Sequence, residues 1–150
     1  MSDHSKLIER IEHFYIDVVE EFKEAEQQII NDCQFRNLFR KKNYDGNIEL
    51  LKHCKKMALT IDVRDIRIDA DDEETKDVVE RFNRALAMFN ALCDAYVQLQ
   101  VFLKKKSLKE EAKFSTYKEI FAKVQQCKMV VSVAFNDLDI VYTDYTEHYQ

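Results

Sequence analysis

One stretch of the sequence combines residue types and spacing that suit a metal ion, and it reads DADDEETKDVVE at residues 69–80. A twelve-residue calcium loop takes oxygen ligands from positions 1, 3, 5, 9 and 12, and a glycine at position 6 makes its sharp turn. Carboxylates occupy all five ligand positions, as Asp69, Asp71, Glu73, Asp77 and Glu80. However, Glu74 stands where the glycine belongs, and Lys76 stands at the eighth, normally apolar position. We therefore predict no calcium site, and interpret the acidic run as the start of a helix capped by Asp71 or Asp72.

Other catalytic and metal-binding patterns are missing from the sequence. With one glycine, the chain cannot form a P-loop, a dinucleotide-binding fingerprint or a nucleophile elbow. A di-iron centre in a bundle needs a glutamate three residues before a histidine on each of two helices, and no histidine here has one. The sequence thus predicts no enzyme, no catalytic residue and no bound cofactor or metal. Sensing of a metal or small molecule inside a bundle stays as a minor alternative.

The cysteines and the hydropathy pattern favour the cytoplasm. The four cysteines lie far apart without CxxC spacing, each in or beside an apolar helical stripe. Such positions are typical of reduced core thiols rather than disulfides or a zinc site. We expect free thiols at Cys33, Cys54, Cys93 and Cys127. The opening stretch MSDHSKLIERIEHF has no apolar signal core, and no run approaches 18 apolar residues, so we expect neither secretion nor membrane insertion.

The composition indicates a helical protein. The 150 residues include no proline and one glycine, although average usage predicts about seven and ten of them. Since tight turns depend on these two residues, long helices with few, short connections remain. A chain of this length fits one domain with one core. We therefore predict a single all-α domain over residues 1–150, an antiparallel up-and-down four-helix bundle with long helices.

The first helix and the turn after it are predicted from spacing and turn residues. Apolar residues alternate three and four positions apart over residues 8–29, which predicts a helix over about 5–40, bent where NDCQ interrupts the pattern. The segment KKNYDGN at 41–47 holds the only glycine. It predicts the first turn, with Asn47 as the N-cap of the second helix.

The second helix is predicted from about residue 48, and its end is ambiguous. The stretch TIDVRDIRID at 60–69 alternates like a strand. No other part of the chain offers a matching strand, and a lone strand cannot satisfy its own backbone hydrogen bonds. We therefore predict that residues 60–69 continue the helix. The alternatives are an extended connection, or an edge that pairs with a second copy of the protein.

Two further helices are predicted in the second half of the chain. Apolar residues at strict three-four spacing over 82–103 mark the third helix, which begins near Asp72 and is closed by KKKS. The sequence SLKE at 107–110 has capping-box spacing. It predicts the start of the fourth helix, with the Ser107 hydroxyl as its cap and an apolar stripe over 117–145.

Charge is predicted to separate toward the two ends of the bundle. The net charge is +4 for 31–60 and +5 for 104–130, against −6 for 61–80 and −4 for 131–150. The helix macrodipole accounts for part of this layout, but not for lysines at the starts of the second and fourth helices. The predicted basic end carries Arg36, Arg40, Lys41, Lys42, Lys52, Lys55, Lys56, Lys104, Lys105, Lys106 and Lys109, with Lys113 beside them. The predicted acidic end carries Asp3, Asp69, Asp71, Asp72, Glu73, Glu74, Asp144 and Glu147.

The fourth helix has more apolar surface than a bundle needs. The stretch CKMVVSVAF at 127–135 is apolar on nearly every face, whereas a bundle helix needs one stripe. The surplus consists of Met129, Val130 and Val133. We interpret it as an oligomer patch covered by a second subunit; the alternative is a central helix covered by its own neighbours.

These features favour a noncatalytic helical-bundle protein that works by docking on a protein partner, self included, in a regulatory, inhibitory or scaffold role. The alternative is an accessory nucleic-acid-binding protein that uses the basic end. Lysines attract phosphates, and aromatic side chains can stack on bases. The aromatic residues near the predicted basic end are Phe35, Phe39, Tyr44 and Phe114.

Overall fold

The computed structural model describes residues 2–34, 37 and 41–149. In this part of the chain there is no β-strand, and four helical rods pack against each other, so the all-α prediction is confirmed. The elements are α1 (Asp3–His13), the π-helical segment π1 (Phe14–Val19), α2 (Glu20–Asp32), α3 (Tyr44–Thr60), α4 (Glu73–Ser107) and α5 (Phe114–Tyr149). The first three elements follow one another without a break and form the first rod.

The first rod buries the apolar stripe that its spacing predicts. The buried side chains that follow this spacing are Ile8, Ile11, Val18, Phe22, Ala25 and Ile29. A helix whose apolar side chains recur at three and four residues presents them on one face, which packs into the core. The amphipathic pattern therefore predicts correctly which face of the first rod is buried between Ile8 and Ile29.

The π-helical segment π1 is not visible in the sequence pattern. Its backbone hydrogen bonds span five residues rather than four, and this winding brings Phe14, Val18 and Val19 all into the core. The Phe14 ring is fully buried and meets three other phenylalanine rings edge-on. Its centroid lies 5.9 Å from Phe82, 5.2 Å from Phe89 and 5.7 Å from Phe135. Phe14 thus joins the first rod to α4 and α5.

The first rod ends at Asp32, with Cys33 as its C-cap. The predicted bend at NDCQ is wrong, because the helix ends inside that stretch. The remainder of the predicted first helix reaches residues 35–36 and 38–40, which lie outside the described residues.

α3 begins at Tyr44 because Asn43 caps it: the Asn43 Oδ1 accepts a hydrogen bond from the Gly46 N–H at 3.1 Å. The prediction of Asn47 as the cap is wrong. Asn47 is buried inside the helix and donates to Gln100 Oε1 at 3.1 Å. Gly46 lies in the first helical turn, where a Cβ would collide with the Asn43 amide.

The prediction that residues 60–69 are helical is wrong beyond Thr60, where α3 ends. The chain continues as a nonhelical connection that turns at residues 64–66, where the Ile66 N–H donates to the Val63 carbonyl at 3.1 Å. Val63 and Ile66, at the two ends of this turn, are buried on one side of the connection. On the other side, the Arg10 guanidinium holds the Asp65 carboxylate with contacts of 2.5 and 2.9 Å. The Arg64 N–H donates to the Asp62 carboxylate at 2.9 Å within the connection, and the Arg67 N–H donates to the Asp3 carboxylate of the first rod at 3.3 Å.

α4 begins at Glu73 with Asp72 as its N-cap, so the start predicted near Asp72 is confirmed. The Asp72 carboxylate accepts from the Thr75 N–H at 3.1 Å and from the Thr75 hydroxyl at 2.7 Å. These bonds are the main cause that lowers the pKa of Asp72 below its ordinary value.

The capping-box prediction at 107–110 is wrong. The Ser107 hydroxyl donates back to the Lys104 carbonyl at 2.6 Å, which closes α4 rather than opening α5. α5 begins only at Phe114, after a connection in which Lys109 has a positive φ of 58°. The turn that follows α4 thus uses the left-handed backbone region that a helix end commonly needs.

α4 contains a long apolar stretch. It contains an 18-residue window with a mean hydropathy of 1.3, long and apolar enough to cross a membrane by those two criteria alone. Half of that window is buried inside the bundle. The helix contacts the first rod, α3 and α5, so its apolar surface forms the centre of the core.

Candidate docking surfaces

Lysines gather where α3 begins, α4 ends and the chain turns into α5. Lys42 and Lys106 line the same cavity, which has a volume of about 450 Å³. We define the basic end by the lysines of these termini, Lys41, Lys42, Lys104, Lys105, Lys106 and Lys109. Arg36 and Arg40, which were predicted to join them, lie outside the described residues.

The lysines of the basic end differ in how far they are engaged. Lys104 forms an ion pair with Asp45 at 2.7 Å, which ties the end of α4 to the start of α3. Lys41, Lys105 and Lys109 are exposed, and none forms an ion pair with another described residue. These three ammonium groups are therefore oriented to solvent and accessible to an anionic partner.

The structure separates three predicted residues from the basic end. Lys52, Lys55 and Lys56 lie along the side of α3. Lys55 forms an ion pair with Asp94 at 2.8 Å, and Asp94 lies roughly 20 Å along α4 from its C-terminus at 1.5 Å per residue. The net charge of segment 31–60 therefore overstates the charge of the end itself, because a 17-residue helix spreads it along the bundle.

The cavity at the basic end has polar and aromatic walls, including Asp32, Cys33, Tyr44, Gln100 and Tyr117. The Oδ2 atom of Asp32 is buried and has no hydrogen-bond partner among the residues that the structure describes. Burial raises the pKa of the Cys33 thiol, and the Asp32 carboxylate raises it further. Cys33 is consequently a weak nucleophile at neutral pH, although its side chain is exposed.

Aromatic rings lie among these lysines. The Lys106 ammonium stands 5.9 Å from the centroid of the Tyr117 ring, and Lys118 stands 5.1 Å from that of Phe114. Phe114 is 67% exposed. Phe114, which was predicted to lie near the basic end, therefore has an accessible ring. Phe35 and Phe39 lie outside the described residues.

Acidic side chains come together where α1 and α4 begin and α5 ends. Asp72 lies 3.2 Å from the His4 ring, and Glu74 lies 3.0 Å from the His148 ring. The His4 ring stacks on Tyr149 with 3.8 Å between centroids. The histidines therefore connect these three helix ends through the carboxylates of α4.

The acidic run that resembles a calcium loop serves as a helix start. Asp72 caps α4, and Asp69 accepts the Asp72 backbone N–H at 3.0 Å through its carbonyl. Across the described ranges, no three His, Cys, Asp or Glu side chains come together in an arrangement that can hold a metal ion.

The outer surface of α5 carries the surplus apolar residues in the open. Met129 is 71% exposed and Val133 is 56% exposed, while Val130 is half-buried. The alternative in which the bundle's own helices cover this patch is therefore wrong. Ile140, which the sequence analysis did not single out, is 59% exposed on the same helix. Its position seven residues beyond Val133 is the signal that could have found it.

Comparison with protein-family models, with curated proteins and with solved structures finds no match to this chain. The functional interpretation therefore depends on the geometry and chemistry of these surfaces.

Proposed function

We propose that the four rods run alternately up and down, each antiparallel to the next. Support comes from the residues that meet between the first rod and α5. The His4 ring stacks on Tyr149, and the Tyr15 hydroxyl donates to Asp139 at 2.8 Å. Residue numbers therefore rise along one rod as they fall along the other, and the two lysine–aspartate pairs between α3 and α4 follow the same rule.

This topology gives the molecule a basic end and an acidic end, and we infer from it a noncatalytic protein that acts by docking on a protein partner. The observation that carries the inference is the group formed by Lys41, Lys105 and Lys109, which are exposed and form no ion pair with another described residue. A charged end of one sign accelerates association with a surface of the opposite sign and disfavours the wrong partners. The partner that fits is an acidic protein face, and the role is regulatory, inhibitory or that of a scaffold.

A pair of charge-reversal variants tests the docking function. Lys105→Glu with Lys109→Glu changes the basic end, and Lys52→Glu with Lys56→Glu makes the same charge change on the side of α3, where both lysines are exposed. Affinity capture from the native host, followed by mass spectrometry, should recover the same partner with the wild type and the α3 variant. The basic-end variant should lose it. Equal loss from both variants would show that net charge alone governs binding.

The alternative function is accessory nucleic-acid binding at the basic end. The observation that favours it is the exposed Phe114 ring beside Lys118, because single-strand binders combine stacking rings with lysines. Fluorescence anisotropy with a single-stranded oligonucleotide would then show binding that weakens with salt. Three or four phosphate contacts give a log–log slope of roughly −2 to −3. No binding at low salt would end this alternative.

We propose that the protein works in the cytoplasm and that α4 does not enter a membrane. The four cysteines are free thiols and three of them are buried, which suits a reducing compartment. Half of the apolar window of α4 is covered by the other rods. Membrane insertion would have to expose that surface by separating them.

A further inference from the structure

α5 carries two stripes on opposite faces. The buried stripe, which packs on the bundle, includes Val124, Val131 and Leu138. The second stripe, which we call the outer stripe, recurs at four and three residues, and every member is exposed: Ala122, Gln126, Met129, Val133, Asn136 and Ile140. A helix turns by about 100° per residue. Met129 and Val133, two residues before and two after Val131, therefore point to the side of the helix opposite Val131.

The outer stripe differs from the exposed face of an ordinary bundle helix. Such a face is normally charged and polar, whereas none of the six members of the outer stripe carries a charge. The three large apolar members are more than half exposed, at 71% for Met129, 56% for Val133 and 59% for Ile140. Apolar residues at alternating spacings of three and four form the seam through which two helices pack in a coiled coil, and a polar residue within such a seam helps to fix its register.

The charges along α5 indicate what kind of helix fits against this seam. Residues 114–128 contain three lysines and one glutamate, whereas residues 129–149 contain four acidic residues and no lysine or arginine. A second α5 lying antiparallel would place each basic half beside an acidic half. A parallel copy would place like charges beside each other along the whole helix.

We propose that the outer stripe binds a second copy of this chain, with the two α5 helices antiparallel about a two-fold axis at the level of Val131. In this register Met129 packs on the partner's Val133, and Ala122 packs on the partner's Ile140. Gln126 lies opposite the partner's Asn136, so the two amides in the seam can hydrogen-bond to each other.

The flanking positions agree with the same register. Val130, which is half-buried in the single chain, flanks the two-fold axis and lies beside its own counterpart. Lys123 is exposed and lies beside the partner's Asp137, which forms an ion pair on each side of the axis. Positions that flank the seam in this way select the orientation of coiled-coil partners. A single register thus satisfies the apolar, amide and charged positions together.

This inference goes beyond the proposed function, because the outer stripe and the basic end are different surfaces. Sedimentation velocity between about 5 and 500 µM, a range that detects dissociation constants from micromolar to near millimolar, should show a monomer–dimer equilibrium. Met129→Glu with Val133→Glu should shift it to monomer. Leu59→Glu, a matched change at a side chain 63% exposed on α3, should leave it unchanged.

Cysteine cross-linking tests the register. In a Cys33→Ser background, which removes the exposed native thiol, Ala122→Cys and Ile140→Cys chains are oxidised separately and as a mixture. The antiparallel register predicts disulfide dimers in the mixture and few in either chain alone. Dimers from each chain alone would indicate a parallel pair and overturn the inference, as would a monomer at every concentration. Either outcome leaves capture of a partner by the basic end to be judged separately.

Discussion

The hydrogen bond between Asn47 and Gln100 allows a quantitative test of what joins α3 to α4 near the basic end. Asn47 is 5% exposed and Gln100 is 1% exposed, and the Asn47 amide donates to Gln100 Oε1 at 3.1 Å. A buried polar group that loses its partner costs about 1–3 kcal/mol, whereas replacing both partners by apolar groups of similar shape is nearly neutral. Asn47→Leu and Gln100→Met are such replacements.

We therefore expect each single variant to lower the free energy of unfolding by about 2 kcal/mol. For a chain of this size that corresponds to a fall in Tm of roughly 4–8 °C. The double variant should itself lose less than about 1 kcal/mol. Its loss then falls about 3 kcal/mol short of the sum of the two single losses, at the upper end of the coupling energies of residues in direct contact.

Urea unfolding followed by circular dichroism at 222 nm measures the four free energies of this double-mutant cycle. The slope of the free energy against urea should be the same in all four proteins, so that differences in midpoint report stability alone. If the losses of the two single variants simply add in the double variant, the two side chains are not coupled. The assignment of Asn47 to a buried bond, rather than to a cap, would then fail.

Three further expectations follow from the core, a cap and a buried phenol. Phe14→Ala should lower the free energy of unfolding by about 3–5 kcal/mol in urea, because it opens a cavity between three rods. Asp72→Ala should cost about 1 kcal/mol in the same assay and Asp72→Asn much less, since asparagine can also cap, while Asp71→Ala serves as the control. Burial raises the pKa of Tyr145 to about 12. The folded state thus keeps a proton that the unfolded chain releases near pH 10, and stability measured in urea should fall as the pH rises from about 10 to 12.

The sequence predicts those parts of the fold in which local pattern and tertiary packing agree. The stripe from Ile8 to Ile29 repeats over several turns, so its amphipathic signal exceeds the effect of any single residue. Asp72 is an N-cap by type and is followed at once by a long apolar repeat. In both places local sequence pattern and tertiary packing favour the same helix, and the prediction is correct.

The connection after α3 shows where local pattern is insufficient. The alternation of apolar and polar residues suggests a strand, but a single strand has no partner, so the sequence analysis predicts a helix. The decisive contacts are tertiary: Arg10 holds Asp65, and Val63 and Ile66 enter the core. A connection that lies on a bundle takes part of its hydrogen bonding from another rod, as when the Arg67 N–H donates to the Asp3 carboxylate at 3.3 Å, and spacing along the chain cannot reveal such contacts.

The predictions of the helix ends near the basic end are wrong for a related reason. Asn43 and Asn47 are equivalent as capping residues, and local sequence does not rank them. The choice is made by Gln100, 53 residues further along, which gives the buried Asn47 amide a partner. Ser107 likewise satisfies a carbonyl of the helix that ends rather than an amide of the one that begins.

The candidate surfaces were predicted in type more accurately than in extent. A net charge per segment identifies lysine-rich stretches, but a helix distributes their lysines over its length. Lys55 on α3, for example, pairs with Asp94 near the middle of α4 and lies far from the basic end. The apolar surplus at Met129 was found because large residues stand out in a hydropathy pattern. The outer stripe as a whole was not, since Gln126 and Asn136 belong to it by position rather than by polarity.

The two proposed surfaces are connected through α5, whose first turns adjoin the basic end and whose outer face carries the outer stripe. In the proposed antiparallel pair, Lys118, one turn into α5, lies at the level of the partner's Asp144, so the acidic end of one copy lies close to the basic end of the other. Self-association and the docking of an acidic partner should therefore oppose each other, and thermodynamic linkage requires that the opposition be mutual. A dimer would hold the docking surface partly covered. An acidic partner would favour the monomer, and the outer stripe would then control access to the basic end.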